Sequence, residues 1–178
     1  MSTLEVKELS HPAGQVIKIA SGKTLDLKSQ GSVTMPTGSV LQVIHVKGSG
    51  GDLSTSSTSY VASGIQASIT PQSANSKIMV IFDSIAFTRS SNNEVGVGVS
   101  IYRGGSEPSP TMRGGVRRLT GGDSYWIDIP YSISALDSPN TTNAVVYEAY
   151  FKCWGASGHM FVDHLASKPT LTLMEIQG

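Results

Sequence analysis

The stretch Glu94-Val95-Gly96-Val97-Gly98-Val99-Ser100-Ile101-Tyr102-Arg103 decides the fold class. Val95, Val97, Val99 and Ile101 fall on one side of a period-two alternation, and Glu94, Gly96, Gly98, Ser100 and Tyr102 on the other. Successive side chains of a strand point to opposite faces, so the pattern is that of a β-strand with one buried face. Its glycines mark a face where another backbone or a large ring packs closely. A dinucleotide-binding loop would need a following helix and a third glycine, and Gly96-Val97-Gly98 has neither.

The same periodicity recurs on both sides of this stretch. In Asn143–Trp154, Val145, Tyr147, Ala149, Phe151 and Cys153 share one face, and Ala144, Val146, Glu148, Tyr150, Lys152 and Trp154 the other, itself partly apolar. Ile78-Met79-Val80-Ile81-Phe82 is apolar on both faces, as suits a central strand. Further strands are expected at Val40–Lys47, Gly64–Thr70, Ser124–Ser134, His159–Asp163 and Thr170–Ile176. Turn-forming clusters such as Gly48–Asp52, Pro71–Asn75, Ser90–Asn93 and Asp137–Asn140 separate them. No helical i, i+3, i+4, i+7 spacing is sustained anywhere. About eight short strands at this spacing predict an all-β, jelly-roll-like sandwich.

The first forty residues differ from the rest. Gly14, Gly22, Gly31 and Gly38 cut them into apolar runs of about four residues. The two Trp, six Tyr and four Phe all lie later, beginning at Tyr60. Strands that short, without one large ring, do not close a core by themselves, but several copies wound about a shared axis would. Residues 1–45 are therefore expected to form an extended arm or trimeric β-stalk and residues 46–178 a β-sandwich knob, with the strand Ser39–Lys47 open to either. The trimer core is expected at Leu25, Leu27, Val33, Met35, Val40, Leu41 and Val43. Leu4, Val6, Leu9, Val16, Ile17 and Ile19 are left for contact with a partner surface.

Composition narrows the function. Among 178 residues, 13 basic groups balance 13 acidic ones, which removes the electrostatic footprint of general nucleic-acid binding and of a polybasic membrane face. Charged residues are 15% of the chain against about 25% in ordinary soluble domains, so Ser, Thr, Asn and Gly must cover much of the surface. Cys153 is the one cysteine, which leaves no internal disulfide and places a small packing residue on the Phe151 face. No apolar run reaches the length of a transmembrane helix. Met1–Val6 has no signal-peptide pattern, so synthesis in a cytosol without export by that route is expected.

Catalytic and metal-binding patterns are weak. His159 and His164 are five apart, which on a strand means opposite faces. His45 falls in an alternating run and is expected to be a buried, hydrogen-bonded structural residue. Asp83, Asp128 and Asp163 accompany many serines, but there is no Gly-x-Ser-x-Gly elbow and no acid pair at glycosidase spacing. Asn140-Thr141-Thr142 matches a glycosylation sequon and is read as a turn. No catalytic residue, metal or cofactor is expected. Arg113, Arg117 and Arg118 form the basic cluster Met112–Arg118, read either as contacts to an anionic partner or as a solvated loop paired with Glu107 and Asp123. Tyr125, Trp126, Tyr131 and Trp154 are read either as a glycan platform or, more simply, as sandwich core.

The order of several segments carries a resemblance. Ser21-Gly22-Lys23-Thr24-Leu25-Asp26-Leu27, then Gly31-Ser32-Val33-Thr34-Met35-Pro36-Thr37-Gly38-Ser39-Val40-Leu41-Gln42-Val43, is similar to a segment of tailed-phage virion proteins. Gly64-Ile65, Ile69-Thr70-Pro71, Ser76-Lys77-Ile78-Met79-Val80 and Leu171-Thr172-Leu173-Met174-Glu175-Ile176 fit the later part of the same pattern. The pattern resembles head decoration proteins and short tail fibres of aquatic and cyanobacterial phages. The resemblance implies a non-enzymatic virion protein, a homotrimer. A short arm before a knob suits a cement protein bound to the major capsid protein on the outside of the head. The alternative is a short tail fibre or spike that binds a host-surface glycan.

Overall fold

Alternating β-branched, aromatic and small residues build nine strands among the described residues. They are β1 (Val40–Lys47), β2 (Val61–Ile69), β3 (Lys77–Ser90), β4 (Glu94–Arg103), β5 (Met112–Leu119), β6 (Tyr125–Asp137), β7 (Val145–Trp154), β8 (His159–Phe161) and β9 (Thr170–Ile176). This computed structural model describes residues 21–24, 35–48, 53–90, 94–108, 111–119, 125–154, 159–161 and 168–178, leaving aside the side chains of 86–90, 94, 95, 116–119, 125–128 and 159–161. Leu4, Val6, Leu9, Val16, Ile17, Ile19, Leu25, Leu27 and Val33 lie outside the described residues.

The chain divides into two compact units, Met1–Thr34 and Met35–Gly178. β1, the strand that the sequence leaves open to either part, belongs to the second unit. Its ladder with β9 explains why, running from Val40 opposite Ile176 to Lys47 opposite Thr170. The ladder continues past both ends, where Gly38 N–H donates to the Gln177 carbonyl and Gly48 N–H to the Pro169 carbonyl, each at 2.8 Å.

Strand pairing is nested. β4 pairs with β5, β3 with β6, β2 with β7 and β1 with β9, all antiparallel. The chain is thus one long ribbon doubled back at the β4–β5 connection. Rolling that ribbon brings β9 and β8 beside β3, and β7 beside β4. The result is sheet A, in the order β1-β9-β3-β6 with β8 also on β3, and sheet B, in the order β2-β7-β4-β5. A double-sheet roll of two Greek keys has this winding.

The core lies between the sheets. Sheet A supplies Ile78, Val80, Phe82, Ile133, Leu171 and Leu173; sheet B supplies Ile69, Val97, Val99, Ile101, Met112, Tyr147 and Phe151. Each such large side chain contributes about 1.5–3 kcal/mol on leaving water. Tyr131 packs its ring edge-on to Phe82 at 6.1 Å, which agrees with its reading as core. Cys153 is also buried, and burial pushes its thiol pKa up, away from reactivity.

Two buried carboxylates fix the edges of this core. Asp137 on β6 accepts from Tyr147 Oη at 2.6 Å and from Arg103 Nη1 at 2.7 Å, and so joins sheet A to β7 and β4 of sheet B. Burial and the bond to Asp137 raise the Tyr147 phenol pKa. Glu175 on β9 is fully buried, and it accepts from Gln42 Nε2 at 2.6 Å and from the Gln72 amide at 2.7 Å. Burial alone would raise its pKa, but the Ser76 hydroxyl, Gln42 and the Gln72 and Ser73 amides bring it below the ordinary value.

Candidate functional site

The faces turned away from the core carry different chemistry. On sheet A, cross-strand register aligns Val43 (β1) with Met174 (β9), Met174 with Met79 (β3), and Met79 with Leu136 (β6). Each alternates with a core residue, so all four point outward. Val43 is 51% exposed and Leu136 42%. Val40, opposite Ile176, extends the apolar strip, and Ile81 continues it beside Met79. Met35 is exposed as well, while Leu41 is partly buried. Of the residues expected in a trimer core, Val40 and Val43 lie on this strip. His45 adjoins this strip and is exposed, its Nδ1 2.8 Å from Thr172 Oγ1, which corrects the expectation that it is buried.

On sheet B the outward face is aromatic and charged. Tyr102 (β4) and Tyr150 (β7) stack at 4.0 Å between centroids with planes 18° apart. Tyr60, in the segment entering β2, tilts onto Tyr102 at 6.2 Å. Lys152 Nζ stands 4.8 Å and Arg113 Cζ 5.3 Å from the centre of the Tyr60 ring. Each cation–π contact of this sort contributes about 0.5–1 kcal/mol where water reaches it.

A tight turn places the acid of this cluster. Gly104 and Gly105 both have positive φ, as a two-residue hairpin turn requires, and Arg103 and Ser106 exchange backbone hydrogen bonds across it. The reversal returns Glu107 over β4 and β5. There its carboxylate accepts a fork of two hydrogen bonds from Arg113 Nε and Nη2, and one from Ser100 Oγ at 2.9 Å. The Arg113 hydrogen bonds hold the Glu107 carboxyl below its usual range. Burial raises the Tyr60 and Tyr102 phenols, so both stay protonated donors at neutral pH.

The glycines of β4 and β5 make room beside these rings. A Cβ at Gly98 would come within 3.0 Å of Trp154 Nε1, and one at Gly115 within 3.1 Å of Trp154 Cη2. The indole thus spans a glycine floor from β4 to β5, which is the close ring packing expected from the alternation. Lys152 lies along the same floor, its Cε and Cγ 3.1 Å from the Gly98 position.

Sequence reasoning found part of this site. Trp154 was placed among the candidate platform residues, and it lies outside the core. Tyr131 packs inward, and the side chains of Tyr125 and Trp126 are outside the described residues. Tyr60, Tyr102 and Tyr150 were missed. The available signal was the even-numbered face of β7, already apolar in part, opposite a β4 face ending in Tyr102. Met112–Arg118 is not a loop but most of β5. Arg113 there is paired with Glu107, while register sets Arg117 opposite Gly96 and Arg118 opposite Val95. No cluster of three or more His, Cys, Asp or Glu suited to a metal ion occurs among the described residues. Nor is any helix among the described residues long and apolar enough to cross a membrane.

Neither a family model nor a curated protein matches this chain. Among solved structures it is similar to a chain in the structure of the Gx strain of infectious bursal disease virus, at 10% identity and a TM-score of 0.32. That alignment covers 86% of this chain and 42% of the viral one, so the chain spans about two fifths of the length of the protein it matches.

Proposed function

We propose that this chain is a non-enzymatic virion structural protein, a trimeric capsid decoration or cement protein on the exterior of an assembled phage head. The observation that carries the reading is the aliphatic strip on the outside of sheet A. Exposed apolar surface on this pattern is characteristic of assembly contacts rather than of a surface left to water. The ordered segments that resemble tailed-phage virion proteins add the context. In this reading Met35, Val40, Leu41 and Val43 meet sister copies, with Leu25, Leu27 and Val33 completing the threefold interior. Closure about a threefold axis is heterologous, each copy presenting two different faces.

Leu4, Val6, Leu9, Val16, Ile17 and Ile19 would then contact the major capsid protein. Arg113, Arg117 and Arg118, all on β5, are the candidate contacts to an anionic capsid face. The mechanism is thermodynamic: a protein that binds only the assembled shell shifts assembly toward it. Three linked contacts add avidity, commonly about 10²–10⁴-fold where geometry allows simultaneous engagement. The tyrosine cluster on sheet B favours a second reading, a short tail fibre or spike that binds a host-surface glycan.

Sedimentation of the purified chain tests the assembly. Three times the protomer mass is expected, and a monomer both in solution and on capsids would overturn the reading. Addition to capsids that lack the protein separates the two locations. A cement protein binds and raises their melting temperature, whereas a fibre binds host cells and leaves capsids unchanged.

A further inference from the structure

We infer that the outward face of sheet B is a binding site for a neutral saccharide, centred on Tyr60, Tyr102, Tyr150 and Trp154. The inference holds whether the chain sits on a head or a tail, because it rests on this face alone. Three features of the cluster point to that class of ligand.

First, rings and cations dominate the described cluster. Tyr60, Tyr102 and Tyr150 contact one another, Lys152 and Arg113, and the exposed aliphatic of this face of β7, Val146, lies beyond Glu148. A protein partner is gripped through aliphatic as well as aromatic anchors, as the outside of sheet A would do. A sugar offers C–H faces to rings and hydroxyls to polar groups between them.

Second, donors and acceptors are interleaved with the rings at hydrogen-bonding spacing. The Glu107–Arg113 fork is planar, partly exposed and braced by Ser100, so it presents fixed acceptors and donors to vicinal hydroxyls. The phenols of Tyr60 and Tyr102 and the Trp154 indole N–H add donors.

Third, charge is balanced. Arg113 and Lys152 face Glu107 and Glu148, and the last is engaged by the Gly64 amide at 3.0 Å. An uncharged polyol gains both kinds of hydrogen bond from such a face.

The cluster is also preorganised. The Tyr102–Tyr150 stack, the cations on Tyr60 and the indole on its glycine floor hold the rings before any ligand arrives, which lowers the ordering cost of binding.

The test uses the full-length protein and a panel of neutral oligosaccharides built from glucose, galactose, mannose and N-acetylglucosamine, with uronic-acid and sialylated oligomers as the charged arm. Binding is read by calorimetry and by indole fluorescence. At least one neutral oligosaccharide should bind below about 1 mM and shift the emission. Trp154→Ala should weaken it at least about tenfold, and the surface change Glu107→Gln by about three- to tenfold at unchanged melting temperature. Protection of the Trp154 indole from oxidation by the bound sugar gives a readout independent of either variant. Failure of every neutral oligosaccharide at about 10 mM, binding confined to the charged arm, or binding indifferent to both variants would overturn the inference.

Discussion

Across sheet A, the row Val43–Met174–Met79–Leu136 offers the outside world only hydrocarbon and thioether; across sheet B, the row Arg113–Ser100–Tyr150 sets a guanidinium and a phenol on either side of a buried hydroxyl. Both rows come from the same kind of alternation and sit on the same core. What separates them is the requirement for direction. An aliphatic strip gains free energy from any dry, complementary surface, so it suits a broad contact with another protein. Rings braced by forked hydrogen bonds gain only from a ligand whose own groups arrive at set angles. The two faces thus divide assembly from recognition, and each can be altered without touching the other.

The contrast breaks most completely where the sheets are tied together. Asp137→Ala removes the acceptor shared by Tyr147 and Arg103 and leaves the buried phenol unpaired. A loss of about 3 kcal/mol is expected in denaturant unfolding, with oligomerisation and saccharide binding lost together. Retention of one of them after that loss would show that the faces do not share one cooperative sandwich.

The next largest effect should be confined to sheet A. Val43→Asp with Leu136→Asp places two charges in the aliphatic row, and self-association should weaken by at least about 100-fold in sedimentation while the monomer keeps its fold. Saccharide binding by the monomer should be unaffected.

A smaller effect should be confined to sheet B. At Gly115 a Cβ would overlap the Val97 carbonyl oxygen and crowd the Trp154 ring, so Gly115→Ala should cost about 1–3 kcal/mol and displace the indole. Thermal melts and indole fluorescence measure both. An unchanged emission spectrum would mean that the glycine floor does not position the ring.

The smallest contrast is between two acids. The Glu175 carboxyl titrates below its ordinary value of 4.5 in the folded chain. As pH falls the unfolded chain therefore takes up the proton first. The stabilisation from Glu175 is complete above about 4.5 and disappears as pH falls through the folded value. Glu175→Gln should flatten that acid limb of stability against pH. Glu107 is shifted the same way, but solvent screens it, so Glu107→Gln should leave the limb almost as it was.

Much of the architecture was legible because burial writes itself as period two. Val40–Lys47, Glu94–Arg103 and Thr170–Ile176 have the expected bounds. The two-sided apolar run Ile78–Phe82 marks the middle of sheet A, although β3 extends to Ser90. β5 was not legible: two adjacent glycines and three arginines erase alternation, and the strand exists because β4 offers it a complete ladder. The ring cluster was illegible for a different reason. Tyr60, Tyr102 and Tyr150 come from three separate segments, and only register brings them together. β7 hinted at them with a second face too apolar for open water.

The nested pairing has a consequence for how the molecule is made. His45 meets Thr172 across 127 positions, and every strand before the Gly104–Gly105 reversal finds its hairpin partner only after it. On the ribosome β1 to β4 emerge before the strands they pair with, and β1 must wait for β9. Closing such distant ends is slow. The sandwich therefore closes only once β9 has been made, and a truncation that removes β9 should leave β1 without a place.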